Sequence, residues 1–212
     1  MNLFLKATQS AWYSHFLNPV VEAVSNSTKN LKILDVGSGP GTLAQLLNEK
    51  EAQFVITGID ISKKMIEEAK KRVSHKNISF QNQKVNAPLA FADKQFDVVT
   101  FCSVLFLVED KLKAKLIQEA LRVLKPNGKI IILTPSGKKS IMSSFFEAWK
   151  YNFSIYNFTF PIWKIATTRS GIKWQRQKCL EKFASENKLN YSKSFTFNDN
   201  ATIEIITINK II

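Results

Sequence analysis

One stretch near the start of the chain limits what it can fold into. Leu31-Lys32-Ile33-Leu34-Asp35-Val36 is a short apolar run closed by an acid. Gly37-Ser38-Gly39-Pro40-Gly41 then alternates glycine with small residues, and a helical pattern begins at Thr42. That order reads as strand, tight turn and helix. Glycine lacks a Cβ, so the turn can adopt positive φ and a ligand can approach bare backbone. The amides that open the following helix add unpaired donors and a partial positive charge. A loop of this kind holds a small polar ligand.

The spacing narrows the ligand. A dinucleotide fingerprint places its third glycine three positions after the second, and here that position is Thr42. No lysine follows the glycines, so a phosphate loop of the G-x-x-x-x-G-K-[ST] type is excluded. Asp35, just before the first glycine, repels a pyrophosphate but favours an ammonium group.

Leu34-Asp35-Val36-Gly37-Ser38-Gly39-Pro40-Gly41 resembles the first motif of class I S-adenosylmethionine-dependent methyltransferases. Further stretches extend the resemblance in order. Phe54-Val55-Ile56-Thr57-Gly58-Ile59-Asp60 is an apolar strand ending in an acid, 19 residues past Gly41. A carboxylate there can accept both hydroxyls of a ribose. Phe96-Asp97-Val98-Val99 and Arg122-Val123-Leu124-Lys125-Pro126-Asn127-Gly128-Lys129 are similar to the fourth strand and to the helix-to-fifth-strand junction of the family, in its small-molecule (type 11) pattern. Together these cover residues 31–133, about half the chain.

The resemblance implies an α/β fold: a doubly wound, Rossmann-like seven-stranded sheet with an antiparallel final strand and helices on both faces. It implies S-adenosyl-L-methionine as cofactor, with Asp35, Gly37, Ser38, Gly39 and Gly41 at the methionine end and Asp60 on the ribose. Ile61 and Met65 would flank the adenine, although Met65 also suits the buried face of a helix capped by Ser62. Asn86 and Ala87 stand where the family has an acidic and a small residue beside the adenine; Asn86 keeps an acceptor but not the charge. Phe101 and Cys102 close the fourth strand at the carboxyl edge of the sheet. No metal ligands are implied.

The rest of the chain is read from pattern. Residues 1–30 carry apolar positions at helical spacing, with Trp12, Tyr13 and His15 among them. They read as a helical lid over the cofactor, or equally as a helix packed on the sheet with its aromatics in the core. His15 and Tyr13 are the candidates for a general base. Residues 109–124 form an amphipathic helix with Leu112, Leu116, Ala120, Val123 and Leu124 inward. Pro126-Asn127-Gly128 is a turn in which glycine supplies positive φ. Residues 138–174 hold ten of the 24 aromatics and one acid, Glu147, against six Lys or Arg. This aromatic-rich insertion reads as a substrate cap for an apolar or planar acceptor, or as a small helical unit with its own core. Residues 174–189 are helical, and two strands joined at Asn198-Asp199-Asn200 close the sheet.

Composition bounds the remainder. A length of 212 residues suits a single domain over 1–212, with no low-complexity linker. The longest apolar run, 98–108, falls short of the roughly 18 residues needed to span a bilayer. Cys102 and Cys179 are far apart, which fits a reducing, cytoplasmic setting. The net charge of +13 is concentrated after residue 106. It points to an anionic partner or a solvated lysine-rich surface. The favoured acceptor is a small or lipid-like molecule, with peripheral contact to an anionic membrane. An RNA methyltransferase using the basic half and a non-catalytic cofactor-binding protein are the alternatives. Against base methylation, Phe101-Cys102-Ser103-Val104 replaces the Asn/Asp-Pro-Pro-Tyr/Phe tetrapeptide of amino-methylating nucleic-acid enzymes.

Overall fold

Seven strands form one sheet in the order β3-β2-β1-β4-β5-β7-β6. The computed structural model describes residues 3–26, 30–138, 141–148, 150 and 155–208. The strands are β1 (Lys32–Val36), β2 (Val55–Asp60), β3 (Ile78–Asn82), β4 (Phe96–Cys102), β5 (Leu124–Pro135), β6 (Asn190–Thr196) and β7 (Ala201–Thr207). Strands β1 to β5 pair in parallel, and β7 runs antiparallel to both β5 and β6. The fold class implied by the sequence is the one observed.

Helices cover both faces, so the central strands are continuous apolar runs with alternate residues entering two different cores. Ile33, Ile131 and Leu133 face one core, which is completed by α2 (Ala11–Ser25), α3 (Thr42–Lys50) and α4 (Lys63–Arg72). Leu34, Ile130 and Ile132 face the other, completed by α5 (Asp110–Val123) and α8 (Cys179–Glu186). The chain first builds outward from β1 through β2 to β3, then returns to β4 on the other side of β1. That reversal opens a crevice at the carboxyl ends of β1 and β4, where doubly wound sheets bind ligands.

Three local expectations are corrected. On α5 the buried positions are Lys113, Ile117, Ala120 and Val123, and Leu112 and Leu116 are only half-buried. Lys113 is tolerated inside because its ammonium reaches Asp110 Oδ1 at 2.6 Å and stands 5.2 Å from the Trp174 ring. Pro126-Asn127-Gly128 is not a turn before β5 but an irregularity within it, between the pairings of Phe96 and Val98. There the positive φ, 63°, belongs to Asn127. Gly128 is needed for space, since a Cβ would lie 2.2 Å from Leu124 Cδ2. Finally, 174–189 is not one helix: α7 (Thr159–Gln177) and α8 meet at Lys178, whose φ is +48°.

Helix α7 ties the two cores together. Its Phe160 packs with Trp12 and Phe16 on one face of the sheet, and its Trp174 joins α5 and α8 on the other. Between them Gly171 lies against Pro135, where a Cβ would sit 2.5 Å from the carbonyl oxygen. The helix thus crosses the carboxyl end of β5.

Candidate active site

The loop after β1 has the backbone its glycines require. Gly37, Gly39 and Gly41 take φ of +76°, +53° and +80°. At Gly37 space adds to conformation: a Cβ would lie 2.3 Å from Val104 Cγ2. The Gly37 and Ser38 amides both donate to Ile59 O, at 2.8 and 2.9 Å, which docks the loop on β2.

Asp60, at the end of β2, is held from two sides. Its Oδ2 accepts from the Gly39 amide at 3.0 Å, and its Oδ1 from the Ser62 amide at 2.8 Å. Ser62 in turn caps α4 by accepting from the Met65 amide. Asn82 Nδ2 donates to the carbonyls of Asp60 and Ile61 at 2.9 and 3.0 Å, which fixes the backbone that carries the acid. A carboxylate offers about four acceptor positions, so two bonds orient it and leave others for a ligand diol. Beside it Ile61 is exposed and Met65 half-buried.

Asp35 has a different environment. It is 2% exposed, and the Thr100 hydroxyl donates to its Oδ1 at 2.7 Å. Among the described residues no cation pairs with it. Burial pushes its carboxyl up to about 7; the Thr100 bond opposes the rise and the charge of Asp60 adds to it. Among the described residues the hydroxyls of Ser38, in the loop after β1, and Ser103, just past β4, are buried without a partner, and Ser103 sits at φ +60°. A buried acid without a counter-charge, and buried hydroxyls without partners, cost stability unless a ligand supplies the complement. A zwitterion with an ammonium group supplies it, so these residues fit the methionine end of S-adenosylmethionine.

Tyr13 and Cys102 border the same acid. Burial is the main reason that the Tyr13 phenol titrates far above its ordinary range; Cys102 and Asp35 oppose a negative charge there, and Arg72 favours one. Tyr13 therefore stays a hydrogen-bond donor in the free protein and is corrected as a base candidate. Burial likewise raises the Cys102 thiol. His15 is corrected too: two residues from Tyr13 is roughly 200° around a helix, and its side chain is exposed on the far side of α2.

The amino-terminal segment divides into two parts. Helix α2 is core, with Trp12, Tyr13 and Phe16 buried, and Trp12 Nε1 donates to Thr159 Oγ1 of α7 at 2.9 Å. Among the described residues of the segment, α1 (Leu3–Ala7) stands over the glycine loop, where the Phe4 ring edge would lie 3.4 Å from a Cβ on Gly39. A cleft of about 550 Å³ separates α1 from α4, between Thr8, Pro40, Lys64 and Arg72.

In the aromatic insertion, Phe160, Trp163 and Trp174 pack into the cores, so these three do not line an acceptor site. Trp149, Tyr151 and Phe153 lie outside the described residues, as does the side chain of Phe145. The insertion is anchored to the turn before β7. Lys164 Nζ donates to Asn200 Oδ1 at 2.5 Å, and Asn200 Nδ2 to Glu147 Oε2 at 2.6 Å.

The structure thus brings Asp35, Gly37, Ser38, Gly39, Gly41, Asp60 and Cys102 to the carboxyl ends of β1, β2 and β4, with Ile61 and Met65 next along the chain from Asp60. Asn86, at φ +59°, is exposed, and Ala87 is half-buried; both lie on the loop after β3. Phe101 is corrected: its side chain is fully buried in the opposite core, so only its backbone reaches the edge. Sequence reasoning missed Thr100, Ser103 and Asn82. Only Ser103, next to the strand end, had a local signal. Among the described residues no group of three His, Cys, Asp or Glu side chains is placed to hold a metal ion.

A reversing sheet that is parallel from β1 to β5 and closed by the antiparallel β7, with a positive-φ glycine loop between two acids, is the architecture of a class I S-adenosylmethionine-dependent methyltransferase. The family model described as "Methyltransferase domain" matches residues 27–196, and the chain belongs to that family. Among curated proteins it is 38% identical over 112 residues to a ubiquinone/menaquinone biosynthesis C-methyltransferase UbiE of Desulfotalea psychrophila, covering 52% of this chain and 44% of that one. It is 35% identical over 150 residues to UbiE of Rickettsia bellii, covering 66% and 57%. The chain thus spans about half the length of the curated relatives it matches. Among solved structures, a putative S-adenosylmethionine-dependent methyltransferase of Methanococcus maripaludis superposes with a TM-score of 0.69 at 24% identity, over 95% of this chain and 90% of that one. The plantazolicin methyltransferase BpumL, solved in complex with a monoazolic desmethylPZN analogue and SAH, gives 0.66 at 14%, over 96% and 85%.

Proposed function

We propose that this chain transfers a methyl group from S-adenosylmethionine to a small, apolar, ring-bearing acceptor of quinone-like or lipid-like character. The observation that carries the reading is the pair of acids across the glycine loop, Asp35 buried and unpaired, Asp60 held by the Gly39 and Ser62 amides. Asp35 would take the ammonium of the methionine moiety, with the Ser38 and Ser103 hydroxyls beside it. Asp60 would accept from the ribose hydroxyls. Ile61 and Met65 would cover the adenine faces, and Asn86 and Ala87 its edge. What the cofactor supplies is a methyl group already activated on a sulfonium.

The chain's own contribution is then to orient and desolvate. An acceptor carbon made nucleophilic by a neighbouring ring hydroxyl needs alignment and exclusion of water more than a strong protein base. The name carried by the UbiE relatives supports an acceptor of this kind. Residues 138–174 serve as the cap over the acceptor, α1 as the cover of the cofactor, and a cytoplasmic protein in peripheral contact with an anionic membrane completes the reading.

The test is transfer of labelled methyl groups from S-adenosylmethionine to cell extract separated into lipid, RNA and small-metabolite fractions. Label is expected in the apolar fraction. Label confined to RNA, or none in any fraction from protein that binds the cofactor, overturns the reading.

A further inference from the structure

Helix α7 carries an outer face that the cofactor site does not explain. Its inner side is occupied: Phe160, Lys164, Gly171 and Trp174 are all buried. On the opposite side Phe158, Ile162, Ile165, Arg169, Lys173 and Arg176 follow at spacings of three and four residues, a single stripe of the helix, and all are exposed. Phe158 is 56% exposed, Ile162 43% and Ile165 55%. The stripe is divided along its length, apolar in the first half and cationic in the second. The neighbouring helix α6 (Ile141–Ala148), packed on α7, adds Met142 at 67% and Phe146 at 75%.

Single exposed apolar residues need no explanation, but five on two adjoining helices do. The charge around them has one sign. Helix α7 contains no Asp or Glu, and the acid of α6, Glu147, is buried against Asn200. The exposed acid Asp110 meets the cationic half at Lys173 and already accepts from Lys113 and Gln177 as well.

We propose that this face of α6 and α7 docks the protein on an anionic lipid surface, with Phe146, Phe158, Ile162 and Ile165 entering the headgroup boundary and Arg169 and Arg176 meeting the phosphates. Aliphatic side chains beside an aromatic ring gain from burial among acyl chains, whereas isoleucines offer a nucleic-acid base no stacking surface. A helix that lies in the interface in this way has an apolar part and a cationic part on one exposed face. The proposal deepens the reading of a lipid-like acceptor, since the docked helix crosses the end of β5 at the carboxyl edge of the sheet. Trp163 of the same helix takes no part in this face, because its ring packs against the aromatic core.

The experiment is co-sedimentation of the full chain with phosphatidylcholine vesicles, with and without added phosphatidylglycerol, in low and high salt. Binding is expected only to the anionic vesicles and weaker in high salt. Ile162→Glu with Ile165→Glu, and separately Arg169→Glu with Arg176→Glu, are expected each to lower it by at least about tenfold. Unchanged S-adenosylmethionine binding by calorimetry shows that the exposed substitutions leave the fold intact. No vesicle binding, or binding by both double variants as strong as that of the parent chain, overturns the proposal. So does self-association in sedimentation velocity that the isoleucine pair abolishes without vesicle binding, or retention by RNA alone. Vesicle binding is read without turnover, so its failure leaves the methyl-transfer reading standing, and failure of methyl transfer leaves this one testable.

Discussion

Replacing Asp35 with asparagine is expected to stabilise the free protein while damaging its cofactor site. The carboxyl is pushed up to about 7 in the fold from an ordinary value of 3.8. The folded state therefore keeps a proton that the unfolded chain gives up as pH rises through the window between those values. Stability from this group is highest below the window, falls through it and stays low above it. A difference of about three pKa units corresponds to about 4 kcal/mol, an upper figure for a group so buried. Asparagine accepts the Thr100 hydroxyl equally well and carries no charge, so it escapes this loss. Urea unfolding of both proteins from pH 4.5 to 8 is the assay. The variant should gain on the parent as pH rises, by a few kcal/mol at pH 8, while its S-adenosylmethionine affinity falls about ten- to hundredfold with the lost charge-assisted bond. Parallel stability curves across the range would refute the reasoning that Asp35 is buried without a counter-charge.

Other expectations follow from single contacts. Gly37→Ala places a Cβ 2.3 Å from Val104 Cγ2 at a φ of +76°, so a loss of about 2–4 kcal/mol and of cofactor binding is expected in thermal unfolding and calorimetry. Trp12→Phe removes the Nε1–H donor to Thr159 Oγ1 and should cost about 1–3 kcal/mol in urea unfolding, with cofactor affinity kept; an unchanged midpoint would count against the α2–α7 link. His15→Ala should leave methyl transfer at the parent rate, and a marked fall would return that residue to the site.

Much of the site was legible because its signals are local. The alternating glycines need only their own turn to be read, and Asp60 is recognised from its distance along the chain and the strand that it ends. Thr100 could not be read, because it meets Asp35 through the pairing of β1 with β4, and sequence does not print register. Trp12, Tyr13 and Phe16 show why the lid was ambiguous: the same helical period serves an aromatic face over a ligand or over a sheet. The second supplied the greater burial. Phe101 misled for a related reason. Its place at the strand end was right, but strand alternation turns its ring to the far core while Cys102 faces Asp35. On α5 the apolar leucines suggested one phase of the helix, and a lysine satisfied by Asp110 and Trp174 set another.

Calorimetric titration of S-adenosylmethionine into the protein and into its Asp60→Ala variant tests the central claim most directly. The parent should bind one equivalent, and the variant should bind far more weakly because the Gly39 and Ser62 amides lose the carboxylate that they orient. Equal affinity of the two proteins, or no heat of binding with the parent, would contradict the account.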